Sequence, residues 1–172
     1  MKYLLVIISA FTLYSCNAQT KQKQLDIGDT VPMFSLKNQD GKTFNIKDSI
    51  GKKVIVIFFY PKDESFVCTK EACGFRDSAS EFAKAGALVI GINQGTIESH
   101  KKFQKDYNLP YQLLSDTGET VIAAFGVKGS MYTDRVTYVV DKTGQIVFKY
   151  HGLTEGKKHP EEVMQFLREM KK

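Results

Sequence analysis

From Leu25 onward the chain alternates short apolar runs with longer stretches at helical spacing. Val31 to Leu36 and Thr43 to Ile46 flank the turn signal Asn38-Gln39-Asp40-Gly41 and predict an N-terminal hairpin. Val54 to Tyr60 (VIVIFFY) is an unbroken β-branched and aromatic run, the pattern of a central strand covered on both faces. Ala72, Phe75, Ala79 and Phe82 follow at spacings of three and four, predicting one amphipathic helix over 68–84 that ends before Gly86. A second buried strand is expected over Ala87 to Ile92, then a helix over 96–107 with Ile97, Phe103 and Tyr107, closed by Pro110. Leu113-Leu114 and Arg135 to Val140 are further strands, and the turn Asp141-Lys142-Thr143-Gly144 joins the latter to an antiparallel partner over Gln145 to Tyr150. The last segment opens a helix at Pro160, with Val163, Phe166, Leu167 and Met170 on one face.

The first sixteen residues follow a different rule. Lys2 precedes an apolar run from Tyr3 to Tyr14, and small Ser15 leads to Cys16, the layout of an export signal. A spanning helix needs roughly 20 apolar residues, so a transmembrane anchor is the weaker reading. Leu13-Tyr14-Ser15-Cys16 resembles the lipobox of bacterial lipoproteins, which implies a signal peptide over 1–15 and lipidation of Cys16; the competing reading is secretion with cleavage elsewhere, after Ala18 for example. Acylation of Cys16 leaves the exported chain with two thiols and no orphan. The polar stretch 16–24 reads as a tether, and 25–172 as a single domain. The expected location is outside the cytoplasm, with the membrane reached through a lipid anchor alone.

Composition removes several function classes. Of 172 residues, 42% are hydrophobic and 25% charged, which excludes a disordered chain. The formal charge of +5 comes from basic residues interspersed with acidic ones, so no nucleic-acid partner is indicated. Three cysteines cannot staple a scaffold of this length. His100, His151 and His159 lack ligand spacing, and no metal or other cofactor is implied.

The candidate chemistry lies after the first central strand, where Pro61-Lys62-Asp63-Glu64-Ser65-Phe66-Val67-Cys68 runs through a short loop into a helix. Cys68 falls in the first turn, where unpaired N–H groups and the positive end of the helix dipole stabilise a thiolate. Ser65, three residues earlier, can cap the helix or face the sulfur. Taken alone, Cys68 also reads as a small apolar core residue.

The conjunction of Pro61, Ser65, Cys68, Cys73 and a later Arg135 resembles the peroxiredoxins, and Cys68-Thr-Lys-Glu-Ala-Cys73-Gly-Phe-Arg76-Asp is similar to their peroxiredoxin Q, or bacterioferritin comigratory protein, branch. Weaker echoes are Gly28-Asp29, Pro32 with Phe34, Leu113-Leu114-Ser115-Asp116 and Phe125-Gly126-Val127. The resemblance implies an α/β thioredoxin-like fold, a central mixed β-sheet flanked by helices with an N-terminal β-hairpin extension. It implies a monomer or weak dimer that reduces hydrogen peroxide and organic hydroperoxides and is recycled by a thioredoxin-like reductant. Cys68 would attack the peroxide and pass through a sulfenic acid; Cys73 would resolve it as a Cys68–Cys73 disulfide; Arg135, Ser65 and the Cys68 N–H would face the peroxide oxygens, with Pro61 shielding the sulfur. On spacing alone, Arg135 reads first as an ordinary surface strand residue paired with Asp134 or Asp141, and Arg76 equally as a partner of Asp77 or Glu81.

The chain departs from the branch in two segments. Phe66 and Val67 replace the usual Pro-Gly, and Val67 resists positive φ, so the loop must enter the helix by ordinary backbone angles. Asn93-Gln94-Gly95 replaces the polar residues often found after the second strand. Helical residues five apart differ by about 140° with Cα atoms roughly 8 to 9 Å apart, whereas a disulfide tolerates about 4.4 to 6.8 Å. The resolving role therefore requires the first turns to unwind, which Gly74 eases. Two other functions fit less well: a thioredoxin-type oxidoreductase, which normally has Cys-x-x-Cys, and a noncatalytic domain with a structural disulfide.

Overall fold

The computed structural model describes residues 23–170. The predicted signal peptide, Cys16 and most of the 16–24 tether lie outside the described residues.

Seven strands form one mixed sheet. In chain order they are β1 (Ser35–Asn38), β2 (Thr43–Asn45), β3 (Val54–Phe59), β4 (Ala87–Asn93), β5 (Gln112–Ser115), β6 (Val136–Val140) and β7 (Ile146–His151). Their spatial order is β2-β1-β5-β4-β3-β6-β7. β3, β4 and β5 run parallel; β6 and β7 continue antiparallel from β3, and the β1–β2 hairpin adds antiparallel to β5. The thioredoxin-like expectation, hairpin extension included, describes this sheet.

The two-residue repeat of β3 explains why its apolar run is unbroken. Ile55, Ile57 and Phe59 enter one core with Phe125, Val136 and Tyr138, while Val56, Phe58 and Tyr60 enter the other with Cys68, Phe75 and Phe103. The second core is roofed by α1 (Phe66–Asp77), α2 (Ala79–Lys84), α3 (Ile97–Tyr107) and, after the short α4 (Thr120–Ala124), α5 (Lys158–Glu169).

The pattern differs from the structure at three helices. The helix expected over 68–84 is two, broken at Ser78, whose backbone (φ −95°, ψ 6°) departs from helical angles. The break lets Phe82 rejoin the core that Ala72 and Phe75 enter from α1. α4 has no counterpart in the expected elements: five residues hold too little period to read, and Asp116 caps them through its carboxylate, which accepts from the N–H groups of Thr120, Val121 and Ile122. α5 begins two residues before Pro160, and Met164 is buried on its inner face while Met170 is exposed.

Candidate active site

Cys68 is the third residue of α1, at the C-terminal edge of the parallel strands, where ligands bind in open α/β sheets. Thr69 N–H closes the first turn onto the Ser65 carbonyl at 2.8 Å, so the N–H groups of residues 66–68 precede the helical ladder and remain available as donors. Ser65 occupies the N-cap position, but its hydroxyl makes no capping bond. The loop enters the helix without positive φ at Phe66 or Val67; that conformation falls on Glu64 (φ 58°), held by an ion pair with Lys102 of α3.

Arg135 closes the centre. It lies just before β6 and is 2% exposed, and its guanidinium is fixed on three sides. Nε donates to the Leu153 carbonyl at 2.9 Å, Nη1 to the Glu71 carboxyl, and Nη2 to Cys68 Sγ at 3.1 Å. Arg135 therefore pairs with neither Asp134 nor Asp141, the surface alternative that spacing allowed. Arg76 keeps its local partner Asp77 at 2.8 Å and also donates to the Tyr107 carbonyl at 2.9 Å. Pro61 is half-buried at the edge of a surface cavity shared with Lys62, Asp63, Asn93 and Tyr132, so it flanks the entrance to the loop.

Behind Arg135 stands a buried group that sequence reasoning missed. Glu71 is wholly buried, one turn below Cys68. Its Oε2 accepts from Arg135, while Oε1 has no hydrogen-bond partner and lies 3.4 Å from His159 Nδ1. His159, also fully buried, contacts the Gly152 carbonyl through Nε2 at 3.0 Å and the Thr137 hydroxyl through Nδ1 at 2.7 Å. A carbonyl can only accept, so Nε2 carries the proton and Nδ1 accepts from Thr137. Desolvation lowers the His159 pKa to about 4, which keeps the ring neutral.

Desolvation outweighs the pull of Arg135 and pushes Glu71 up to about 8. A protonated Glu71 still orients the guanidinium by accepting at Oε2 but does not cancel its charge, leaving that charge directed at the sulfur. A sequence signal existed: Cys68, Glu71, Ala72 and Phe75 lie at i, i+3, i+4 and i+7, so Glu71 occupies a core position of the helix stripe and needs a buried partner.

A second buried cluster holds the Pro61–Ser65 loop. Asp63 accepts from Tyr60 (2.7 Å), Asn93 (3.1 Å), Ser99 (2.6 Å) and His100 (2.8 Å), joining the ends of β3 and β4 to α3. Burial acts to raise its pKa, but His100 and the hydroxyl donors prevail and hold it below the ordinary value. Asn93 and His100, neither assigned a role by spacing, thus brace the Pro61–Ser65 loop through Asp63.

Cys73 is half-buried on the opposite flank of α1, where it lines an open cavity of about 410 Å³ with Thr69, Lys70, Asp77, Lys157 and Pro160. Both cysteines are free thiols. α1 runs unbroken through both positions, so the separation expected from helical geometry applies and the pair cannot join without unwinding. Gly74 has a further reason to be glycine: a Cβ there would meet Pro160 Cγ of α5 at 2.7 Å.

The sequence from 27 to 149 matches the family model of the AhpC/TSA family. The chloroplastic peroxiredoxin Q of Gentiana triflora is 46% identical over 81% of this chain, which spans 65% of that protein; the Sedum lineare protein is 44% identical over 84% of this chain and 78% of its own length. Among solved structures, the peroxidoxin BcpB of Mycobacterium tuberculosis superimposes with a TM-score of 0.82 at 34% identity, covering 86% of this chain and 99% of that one. The bacterioferritin comigratory protein of Xanthomonas campestris, studied for alkyl peroxide reduction, gives 0.75 at 27% identity over 84% and 100% of the two chains. With a thiol held against a buried arginine at the same helix start that carries the sequence motif, the chain belongs to the AhpC/TSA family and, within it, to the peroxiredoxin Q branch of thiol peroxidases.

Proposed function

We propose that this peroxiredoxin reduces hydrogen peroxide and organic hydroperoxides with Cys68 as nucleophile and Cys73 as resolving thiol, and that a thioredoxin-like dithiol returns it to the reduced state. The observation that carries the assignment is the 3.1 Å contact of the Arg135 guanidinium with Cys68 Sγ, both side chains being buried. The Cys68 thiolate attacks the distal peroxide oxygen; the S–O bond forms as the O–O bond breaks, and the departing alkoxide or hydroxide takes a proton. Negative charge moves from sulfur to oxygen, and Arg135 with the Cys68 N–H are the donors placed to follow it. Cys73 sulfur then attacks the sulfenic sulfur, the S–S bond forms and water leaves. The external dithiol supplies two electrons to reopen the bond.

Reduced protein mixed with one equivalent of hydrogen peroxide tests the assignment. Cys68→Ser consumes none; Cys73→Ser consumes one equivalent and stalls as a sulfenic acid that an external thiol rescues. Turnover by Cys68→Ser would overturn it, as would insulin reduction without peroxide consumption, the behaviour of a thioredoxin-type oxidoreductase.

We also propose that the chain is exported and held at a membrane by lipid on Cys16, on the support of the Lys2, Tyr3–Tyr14 and Ser15-Cys16 pattern. Metabolic labelling with a radioactive fatty acid should mark the wild type and not Cys16→Ser; a label on both, or on neither, would overturn it.

A further inference from the structure

Besides the packing of Phe75 and Gly74, two hydrogen bonds tie the Cys73 end of α1 to the body of the domain, and neither belongs to the Cys68 centre. The Tyr111 hydroxyl donates to the Ala72 carbonyl at 2.7 Å, and Arg76 Nη1 donates to the Tyr107 carbonyl at 2.9 Å. Ala72 directly precedes Cys73. As a helical carbonyl it is already the i+4 acceptor for the Arg76 N–H, so Tyr111 takes its second lone pair.

Tyr111 itself is anchored elsewhere. It precedes β5, is 8% exposed, and sets its ring edge-on to Phe58 of β3 (5.7 Å, 87°). Its own carbonyl accepts from Gln104 of α3 at 3.0 Å. When α1 unwinds, the phenol therefore stays with the sheet while the carbonyl leaves. Burial pushes the Tyr111 pKa well above its ordinary value, so the hydroxyl remains a donor throughout the neutral range.

We propose that Tyr111 is a positioning residue that latches the Cys73 segment in the helix and so sets the rate at which the Cys68 sulfenic acid is resolved. The proposal rests on Cys73 being the resolving thiol. Unwinding must break the Tyr111–Ala72 bond as well as the helical ladder, and it strands a buried hydroxyl that has no other acceptor among the described residues. The latch lengthens the life of the sulfenic acid. A second peroxide then competes: the sulfenic acid plus ROOH gives the sulfinic acid plus ROH, whereas the sulfenic acid plus the Cys73 thiol gives the disulfide plus water.

The test is Tyr111→Phe, which removes the hydroxyl and keeps the ring. Wild type treated with one equivalent of hydrogen peroxide must first form the Cys68–Cys73 disulfide and Cys73→Ser must not, which checks the underlying reading separately. Given that, Tyr111→Phe resolves about two- to tenfold faster, the change one net hydrogen bond makes to an opening equilibrium. It needs correspondingly more peroxide for half-conversion to the sulfinic acid, while the rate of the first reaction with peroxide is unchanged, a separation that general destabilisation would not produce. Disulfide formation at the wild-type rate or slower overturns the proposal. So does retained hydrogen-exchange protection of amides 72–76 when the wild type is oxidised, a measurement that needs no variant.

Discussion

Replacing Glu71 by Gln separates the two things a buried acid beside Arg135 can do: orient the guanidinium and neutralise it. Desolvation lifts Glu71 from its ordinary 4.5 to about 8 in the folded protein. Below pH 4.5 both folded and unfolded chains hold the proton and Glu71 contributes no pH dependence. As pH rises toward 8 the unfolded chain ionises while the folded one keeps its proton, so the folded state binds more protons and loses stability relative to the unfolded state. The full span is worth about 5 kcal/mol at about 1.4 kcal/mol per unit of pKa. Between pH 5.5 and 8 the change amounts to about 3 kcal/mol.

The side-chain amide of the Glu71→Gln variant does not titrate, yet it presents the same carbonyl acceptor to Arg135. Urea unfolding of reduced wild type and Glu71→Gln at half-unit intervals of pH, under reducing conditions, isolates the Glu71 contribution, because every other titrating group appears in both curves. The stability of wild type minus that of the variant should fall by about 3 kcal/mol from pH 5.5 to 8 and level off above. Peroxide reactivity of the variant at pH 7 should stay within about threefold of wild type, since about nine in ten wild-type molecules already carry a neutral Glu71 at that pH. A flat difference would show Glu71 ionised in the folded protein and would refute the claim that the charge of Arg135 is left free to act on Cys68.

The other members of the two buried clusters give effects of opposite sign or of similar size. His159 is depressed from 6.5 to about 4 in the folded chain, so the unfolded chain binds the extra proton between those values; stability rises with pH across that window by up to about 3 kcal/mol and a His159→Gln variant should lack the rise. A wild-type minus variant curve that falls across the window would contradict the neutral, Nε2-protonated ring. Asp63→Asn leaves the donors of Tyr60, Ser99 and His100 short of acceptors in a buried site and should cost about 3 kcal/mol in urea unfolding, with peroxide reactivity reduced as the Pro61–Ser65 loop loosens; an effect below about 1 kcal/mol would remove Asp63 from that role.

Much of the fold was legible because β3 and β4 are too apolar to be anything but central strands, and because Cys68 follows one of them at a strand-to-helix junction. Period and turn chemistry carry that information locally. What stayed hidden is tertiary. The helix break at Ser78 arises because α1 and α2 share one core, not from any breaker in the sequence. Arg135 was visible as a candidate only through the family resemblance, since no local pattern reports that a residue 67 positions away will reach the sulfur. Asp63 and His100 are 37 residues apart and no local pattern joins them; each is buried with the other as its partner. Glu71 alone left a trace, a charge in the apolar stripe of its own helix.

The central claim is that Arg135 acts on the oxygen that receives charge and not merely on the sulfur that gives it up. Arg135→Met, compared with wild type in pre-steady-state reactions with hydrogen peroxide and with iodoacetamide, tests it most directly. Both reagents need the Cys68 thiolate, but only peroxide develops its leaving charge on an oxygen beside the guanidinium, whereas iodoacetamide expels iodide. The rate with peroxide should fall by about 10² to 10³ while alkylation falls far less. Equal losses with the two reagents would contradict the account.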